Sequence, residues 1–129
     1  MYIINDDLSI YVTRGDAVLM SVSAYDGDQP YTFAVGDRVR FKAFEKKNCA
    51  NVVLEKDFVV TAETQAVQIY LDKEDTKIGD VISKPVNYWY EVELNPLTEP
   101  QTLIGYDEDG AKIFRLFPEG ADTEQGGEK

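Results

Sequence analysis

Residues 85–117 read as three strand-like runs joined by turn chemistry, and no segment elsewhere offers a convincing helical period to compete with them. The first run is Pro85-Val86-Asn87-Tyr88-Trp89-Tyr90-Glu91-Val92-Glu93-Leu94. Aromatic and β-branched side chains at that density suit a pleated, half-buried surface. Alternation puts Tyr88, Tyr90, Val92 and Leu94 on one face and Asn87, Trp89, Glu91 and Glu93 on the other. Pro96 and Pro100 then bracket a loop, because proline cannot donate to a central ladder. Residues 102–106 and 111–117 flank Asp107-Glu108-Asp109-Gly110, whose glycine suits a positive φ, so the spacing predicts a hairpin.

The same period of two runs through the upstream chain. Leu8, Ile10 and Val12 alternate with Ser9, Tyr11 and Thr13, and Gly15-Asp16 ends that strand. Val18, Met20 and Val22 share one face of residues 17–24, and Asp26-Gly27-Asp28 with Pro30 marks a turn. Val39, Phe41 and Ala43 alternate with Arg38, Arg40 and Lys42. Residues 52–60 and 65–71 give two more strands, and 73–77 reads as one helical turn or an irregular crossover. Seven or eight short strands, with turn signals about every ten residues, predict an all-β domain. The expected form is an immunoglobulin-like antiparallel β-sandwich, with a small barrel as the alternative. Opposite charges on facing positions stabilise an antiparallel pair. Strand 38–44, with Arg40 and Lys42, is therefore expected beside strand 86–94, with Glu91 and Glu93.

A length of 129 residues fits one domain with one core. That domain is expected to span 1–118. The tail 119–129 holds Gly, Glu, Asp and Gln without an apolar anchor and is expected to be flexible. The N-terminus has neither a basic start nor an apolar run of signal length, so synthesis in the cytoplasm without a signal peptide is expected. No stretch approaches the apolar length of a membrane helix. A net charge of -11 argues against nucleic acid and anionic lipid as partners.

Composition also narrows the chemistry. The chain has no His, which removes the usual general base and metal ligand, and with them serine and cysteine triads. Cys49 is the only cysteine, so there is no internal disulfide and no multi-cysteine zinc site. No catalytic residue, metal site or cofactor is expected. Arg14-Gly15-Asp16 spells an integrin-type tripeptide, but a glycine turn between two strands explains it. Asp107-Glu108-Asp109-Gly110 lacks the ligand spacing of a calcium loop and reads as a turn.

Trp89 is the feature that architecture alone does not absorb. Its parity places it with Glu91 and Glu93 on the polar side, near Phe44 and Tyr11, which have polar-side parity too. Either a loop covers this side, or Trp89, Phe44 and Tyr11 form a docking patch for a partner or a second copy.

Three segments carry a resemblance. They are Thr13-Arg14-Gly15-Asp16, Val35-Gly36-Asp37-Arg38-Val39-Arg40-Phe41 and the strand around Tyr88-Trp89-Tyr90-Glu91-Val92 with its closing hairpin. Over roughly residues 3–118 the chain resembles the N-terminal β-sandwich domain of baseplate upper proteins and related fibre-attachment domains of phages and prophages of Gram-positive bacteria. The resemblance implies a non-enzymatic, virion-associated structural protein that binds other virion proteins of the tail, baseplate or capsid, or itself. Those relatives continue into a helical, fibre-forming region, whereas this sequence ends at Lys129; a stand-alone accessory or decoration protein is expected. No functional residue transfers by motif position. Two other readings stay open. One is a carbohydrate-binding module that stacks sugars on Trp89 and neighbouring Tyr rings. The other is a hydrolase built on paired carboxylates in a concave site.

Overall fold

The computed structural model describes residues 2–108 and 110–119. It is all-β, with eleven strands and no helix among the described residues. In chain order these are β1 (Tyr2–Ile4), β2 (Ile10–Thr13), β3 (Val18–Val22), β4 (Tyr25–Asp26), β5 (Gln29–Pro30), β6 (Arg38–Phe44), β7 (Val52–Val59), β8 (Val67–Leu71), β9 (Val86–Leu94), β10 (Gln101–Ile104) and β11 (Lys112–Phe117). Seven of them form one sheet in the order β1-β2-β11-β9-β6-β7, with β10 beside β9. β3 pairs with β8, and β4 with β5, as separate two-stranded ribbons.

One core joins the large sheet to the β3–β8 ribbon. Ile10, Val12, Val39, Phe41, Tyr90, Val92, Phe114 and Leu116 of the sheet belong to the same buried cluster as Val18, Met20, Val22, Val67, Ile69 and Leu71 of the ribbon. The strict alternation of β3 and β8, buried at every second residue, shows how the ribbon covers the sheet: Val18, Met20 and Val22 with Val67, Ile69 and Leu71 form the face removed from water, while Leu19 and Tyr70 pair on the outward face.

Several expectations change. β2 and β11 run parallel, with Phe114 opposite Ile10 and Leu116 opposite Val12, so the sheet is mixed rather than wholly antiparallel. The period of two reports which face a residue occupies and says nothing about strand direction. Residues 102–106 and 111–117 do not form a hairpin with each other. β10 pairs with the C-terminal end of β9 and β11 with its N-terminal end, so both lie along the same edge of that strand. Asp107 and Gly110 do form the expected turn, closed by a bridge, but it closes a local excursion rather than two paired strands. Gly105 begins that excursion. A Cβ there would lie 2.6 Å from Thr102 Cγ2, so any other residue would force the Thr102 side chain to move.

Leu8 lies outside β2, at φ 71°. The chain turns at 5–9, where Leu8 N–H donates to Asn5 O and Asn5 N–H to Ser9 O, with Asp7 Oδ1 accepting from Ser9 N–H at 3.0 Å. Residues 73–77 are a turn, held by Asp72 Oδ1 accepting from the Glu74 and Asp75 amides. The first residue of the expected tail, Glu119, pairs with Arg14 at 3.0 Å; the rest of that tail lies outside the described residues.

The long edge strand β7 carries its own protection. Val52, Val53 and Val59 are exposed on it, a composition that invites pairing with another chain. A bulge interrupts its register at Ala43/Phe44. Lys56, opposite the core residue Phe41, points to the core side and reaches Asp75 at 2.5 Å. An inward charge and a bulge both disfavour strand addition.

Candidate functional site

The face of the large sheet away from the core divides into an ionic half and an apolar half. The registers set the rows. Glu93 faces Arg40, which faces Asp57, and Glu91 faces Lys42, which faces Glu55. The expected adjacency of strands 38–44 and 86–94 is therefore present. The ion pairs are drawn differently from the direct pairing. Lys42 reaches diagonally to Glu93 at 3.4 Å, and Arg40 turns to β7, donating from Nε to Asp57 Oδ1 at 2.7 Å and from Nη2 to Oδ2 at 3.0 Å. Arg38 adds a third bond to Asp57 at 2.9 Å. The Arg40 hydrogen bonds hold the Asp57 carboxyl below the usual carboxylate range against partial burial, and Arg38 adds to the effect.

Glu91 is the exception in this half. Burial pushes its carboxyl up, the neighbouring Glu93 charge adds to the rise, and Lys42 opposes it. A carboxyl that binds its proton more tightly when folded costs stability while ionised. The cost is present above the folded pKa and disappears below the unfolded one. Glu91→Gln is therefore expected to raise the melting temperature at pH 7, with the gain shrinking as pH falls towards about 4. Thermal unfolding of both proteins across that range checks the sign, and a lower melting temperature for Glu91→Gln at pH 7 contradicts it.

The apolar half lies on β1, β2, β11 and the start of β9. One row runs Ile3, Tyr11, Arg115, Asn87, and the next includes Ile113, Trp89 and Phe44. Arg115 Nε donates to Asn87 Oδ1 at 2.6 Å, and its guanidinium lies 5.0 Å from the Tyr11 ring centre, which holds both in place. Tyr11 also meets Phe117, with centroids 5.7 Å apart and planes tilted 58°. A shallow cleft of about 240 Å³ is lined by Tyr2, Ile3, Tyr11, Val12, Thr13 and Phe117.

The three residues singled out from sequence fare differently. Trp89 and Tyr11 are half-buried on the expected face. They are not neighbours, since β11 separates their strands and two strand spacings amount to roughly 10 Å. Phe44 is directly opposite Trp89 but only 3% exposed, so it does not present itself to a partner. It lies outside the main core cluster, consistent with burial on the outer side. The loop after Phe44 closes through Glu45 N–H to Asn51 O. Its Cys49 thiol is pushed up by burial, with the Glu91 charge adding to it.

Ile3, Ile113 and Phe117 complete the patch and were missed. Ile113 and Phe117 share the parity of Arg115, so alternation could have found them. Ile3, 57% exposed, escaped because a three-residue edge strand gives too short a pattern to read. Among the described residues no group of three or more His, Cys, Asp or Glu is placed to hold a metal ion. No helix among them is long and apolar enough to cross a membrane. Comparison with protein-family models, with curated proteins and with solved structures finds no match to this chain.

Proposed function

We propose that this chain is a non-enzymatic structural or accessory subunit of a phage or prophage particle, an immunoglobulin-like sandwich that binds other virion subunits through the outer face of its large sheet. The apolar stripe of Ile3, Tyr11, Phe117, Ile113 and Trp89 carries this reading. Aromatic and aliphatic side chains gathered on one sheet face, beside a rim of charge, are the composition of a protein interface. The ionic half supplies that rim, and its Arg40–Asp57 bonds are satisfied internally, which leaves the stripe as the adhesive part. The tilt of 58° between Tyr11 and Phe117 favours a subunit contact over a flat platform for successive sugar rings, which needs coplanar aromatics. Glu91 and Glu93 line none of the clefts formed by residues 23–31 with 94–103, 57–68, 7–9 with 111–113, or 2–13 with 117, which disfavours a carboxylate hydrolase.

Trp89 is the only tryptophan, so its fluorescence reports on the stripe alone. Acrylamide quenching with light scattering is measured first on the isolated chain across concentrations. It is then repeated with structural proteins from particles produced by the source cells. Protection of Trp89 that rises with complex formation, and that Ile113→Asp abolishes, is the expected result. Unchanged quenching in both settings overturns the reading.

A further inference from the structure

A second cleft, of about 350 Å³, lies between the β4–β5 hairpin and β10. That volume is at the lower end of the range for ligand clefts, about 300–1,000 Å³. It shares no residue with the apolar stripe. Leu94 and Leu103 supply apolar lining, and Tyr25 and Tyr31 line it as well. Tyr31 is fixed. Its hydroxyl donates to Asp37 Oδ2 at 2.8 Å, its ring meets Phe33 edge-on at 5.0 Å, and its amide donates to Ala24 O at 2.9 Å. Tyr25 is 70% exposed, an aromatic ring held out on a two-residue strand opposite Pro30.

The remaining lining selects a ligand class. Ser23, Gln101 and Thr102 offer neutral hydroxyl and amide groups, and Asp26 is the only charged side chain in the lining. No Lys or Arg lines the cleft, so nothing there compensates a phosphate, sulfate or carboxylate, and the net charge of -11 repels them. Among the described residues β10 pairs with β9 alone, which leaves its other edge with unpaired backbone donors and acceptors. A ligand that suits this set is uncharged, has one apolar face for an aromatic ring, and carries several hydroxyls on its edge. That is the description of a sugar ring, whose C–H face stacks on aromatics while its hydroxyls meet Asp, Gln and Ser.

We infer that this cleft binds a neutral saccharide of one or two rings, stacked on Tyr25 and hydrogen-bonded by Asp26, Gln101 and Ser23. The test is saturation-transfer NMR on the full chain. The probes are glucose, galactose, mannose, N-acetylglucosamine, N-acetylgalactosamine, lactose and cellobiose at ~10 mM, enough to load a millimolar site, with N-acetylneuraminic acid as the anionic probe. At least one neutral sugar is expected to receive saturation and to shift the amides of Ala24, Asp26, Gln101 and Leu103, while the anionic sugar does neither. Tyr25→Ala changes an exposed ring, and the fold should tolerate it. It is expected to weaken binding at least tenfold, about 1.4 kcal/mol, with Gln101→Ala as a second variant. Silence from every neutral sugar, shifts confined to Trp89 and Tyr11, or unchanged affinity in both variants overturns the inference.

Discussion

Phe41→Ala is expected to lower the unfolding free energy by about 3–5 kcal/mol. The ring is fully buried on β6, a central strand flanked by β7 and β9. It stacks on Tyr90 at 5.3 Å with planes 18° apart, and meets Phe114 edge-on at 5.9 Å. Truncation removes the transfer free energy of the ring and both aromatic contacts, each worth roughly 0.5–1.5 kcal/mol beyond burial. It also leaves a cavity that two paired neighbouring strands cannot close, since ladder hydrogen bonds hold their spacing. Tyr90 is further restrained by its hydroxyl, which donates to Leu8 O. A fall of about 10–25 °C in melting temperature follows for a domain of this size. Leu19→Ala, on the exposed face of β3, is the comparison and is expected to move it by little. A loss under about 1 kcal/mol for Phe41→Ala shows that the core relaxes around the site, contrary to the close packing expected of interiors.

Much of this core was legible because burial imposes its own period. Val39, Phe41 and Ala43, and Tyr90, Val92 and Leu94, were assigned to an inner face by alternation, and all six are buried. The charge pattern of Arg40 and Lys42 against Glu91 and Glu93 also placed β6 beside β9. What it could not give was the choice among competing carboxylates, because Arg40 has Asp57 on its other flank at hydrogen-bonding geometry. The parallel β2–β11 pairing was illegible for a different reason. It joins residues about a hundred positions apart, and neither the period nor the turns encode which distant edge a strand will meet. The collinear β10 and β11 looked like a hairpin because local turn chemistry and strand pairing are separate decisions.

The candidate site was legible only in part, and for a related reason. Parity gives a face but not what lies over it. Trp89 and Tyr11 were placed on the right face, yet Phe44, of the same parity, is buried, and a loop whose course depends on left-handed residues at Cys49 and Asn51 follows directly after it. The alternation of β6 gives the face of Phe44 but not its burial. The second cleft is assembled from residues 23–31, 94 and 101–103; the β9–β10 pairing joins Leu94 to Gln101, and no contiguous motif announces the rest.

Arg14→Met is expected to cost about 2–4 kcal/mol, through lost charge-assisted hydrogen bonds rather than lost volume. Arg14 is 8% exposed. Its backbone amide donates to Phe117 O at 3.0 Å, which extends the parallel ladder by one step. Its guanidinium then donates from Nη2 to Gly79 O at 2.6 Å and from Nη1 to Glu119 Oε1 at 3.0 Å. The adjacent Gly15, at φ 91°, lets its own amide meet Thr76 Oγ1 at 2.9 Å, and that hydroxyl donates in turn to Asp16 O. One turn therefore ties β2, the 72–79 crossover and the end of β11 together, and the Arg-Gly-Asp tripeptide is an internal clamp whose Arg faces inward. Arg14→Lys keeps the charge but not the planar fork that meets two acceptors at once, and is expected to recover less than half of the loss. Glu119→Gln, at a side chain 30% exposed, is expected to cost under about 1 kcal/mol after solvent screening. Denaturant unfolding measures all three. Hydrogen exchange separates the cause, because Arg14→Met should speed exchange at Thr76, Lys77 and Gly79 before it affects Met20 or Ile69. Exchange that rises uniformly shows that Arg14 supports the whole fold rather than a local clamp, and an Arg14→Lys protein as stable as the parent shows that charge alone suffices.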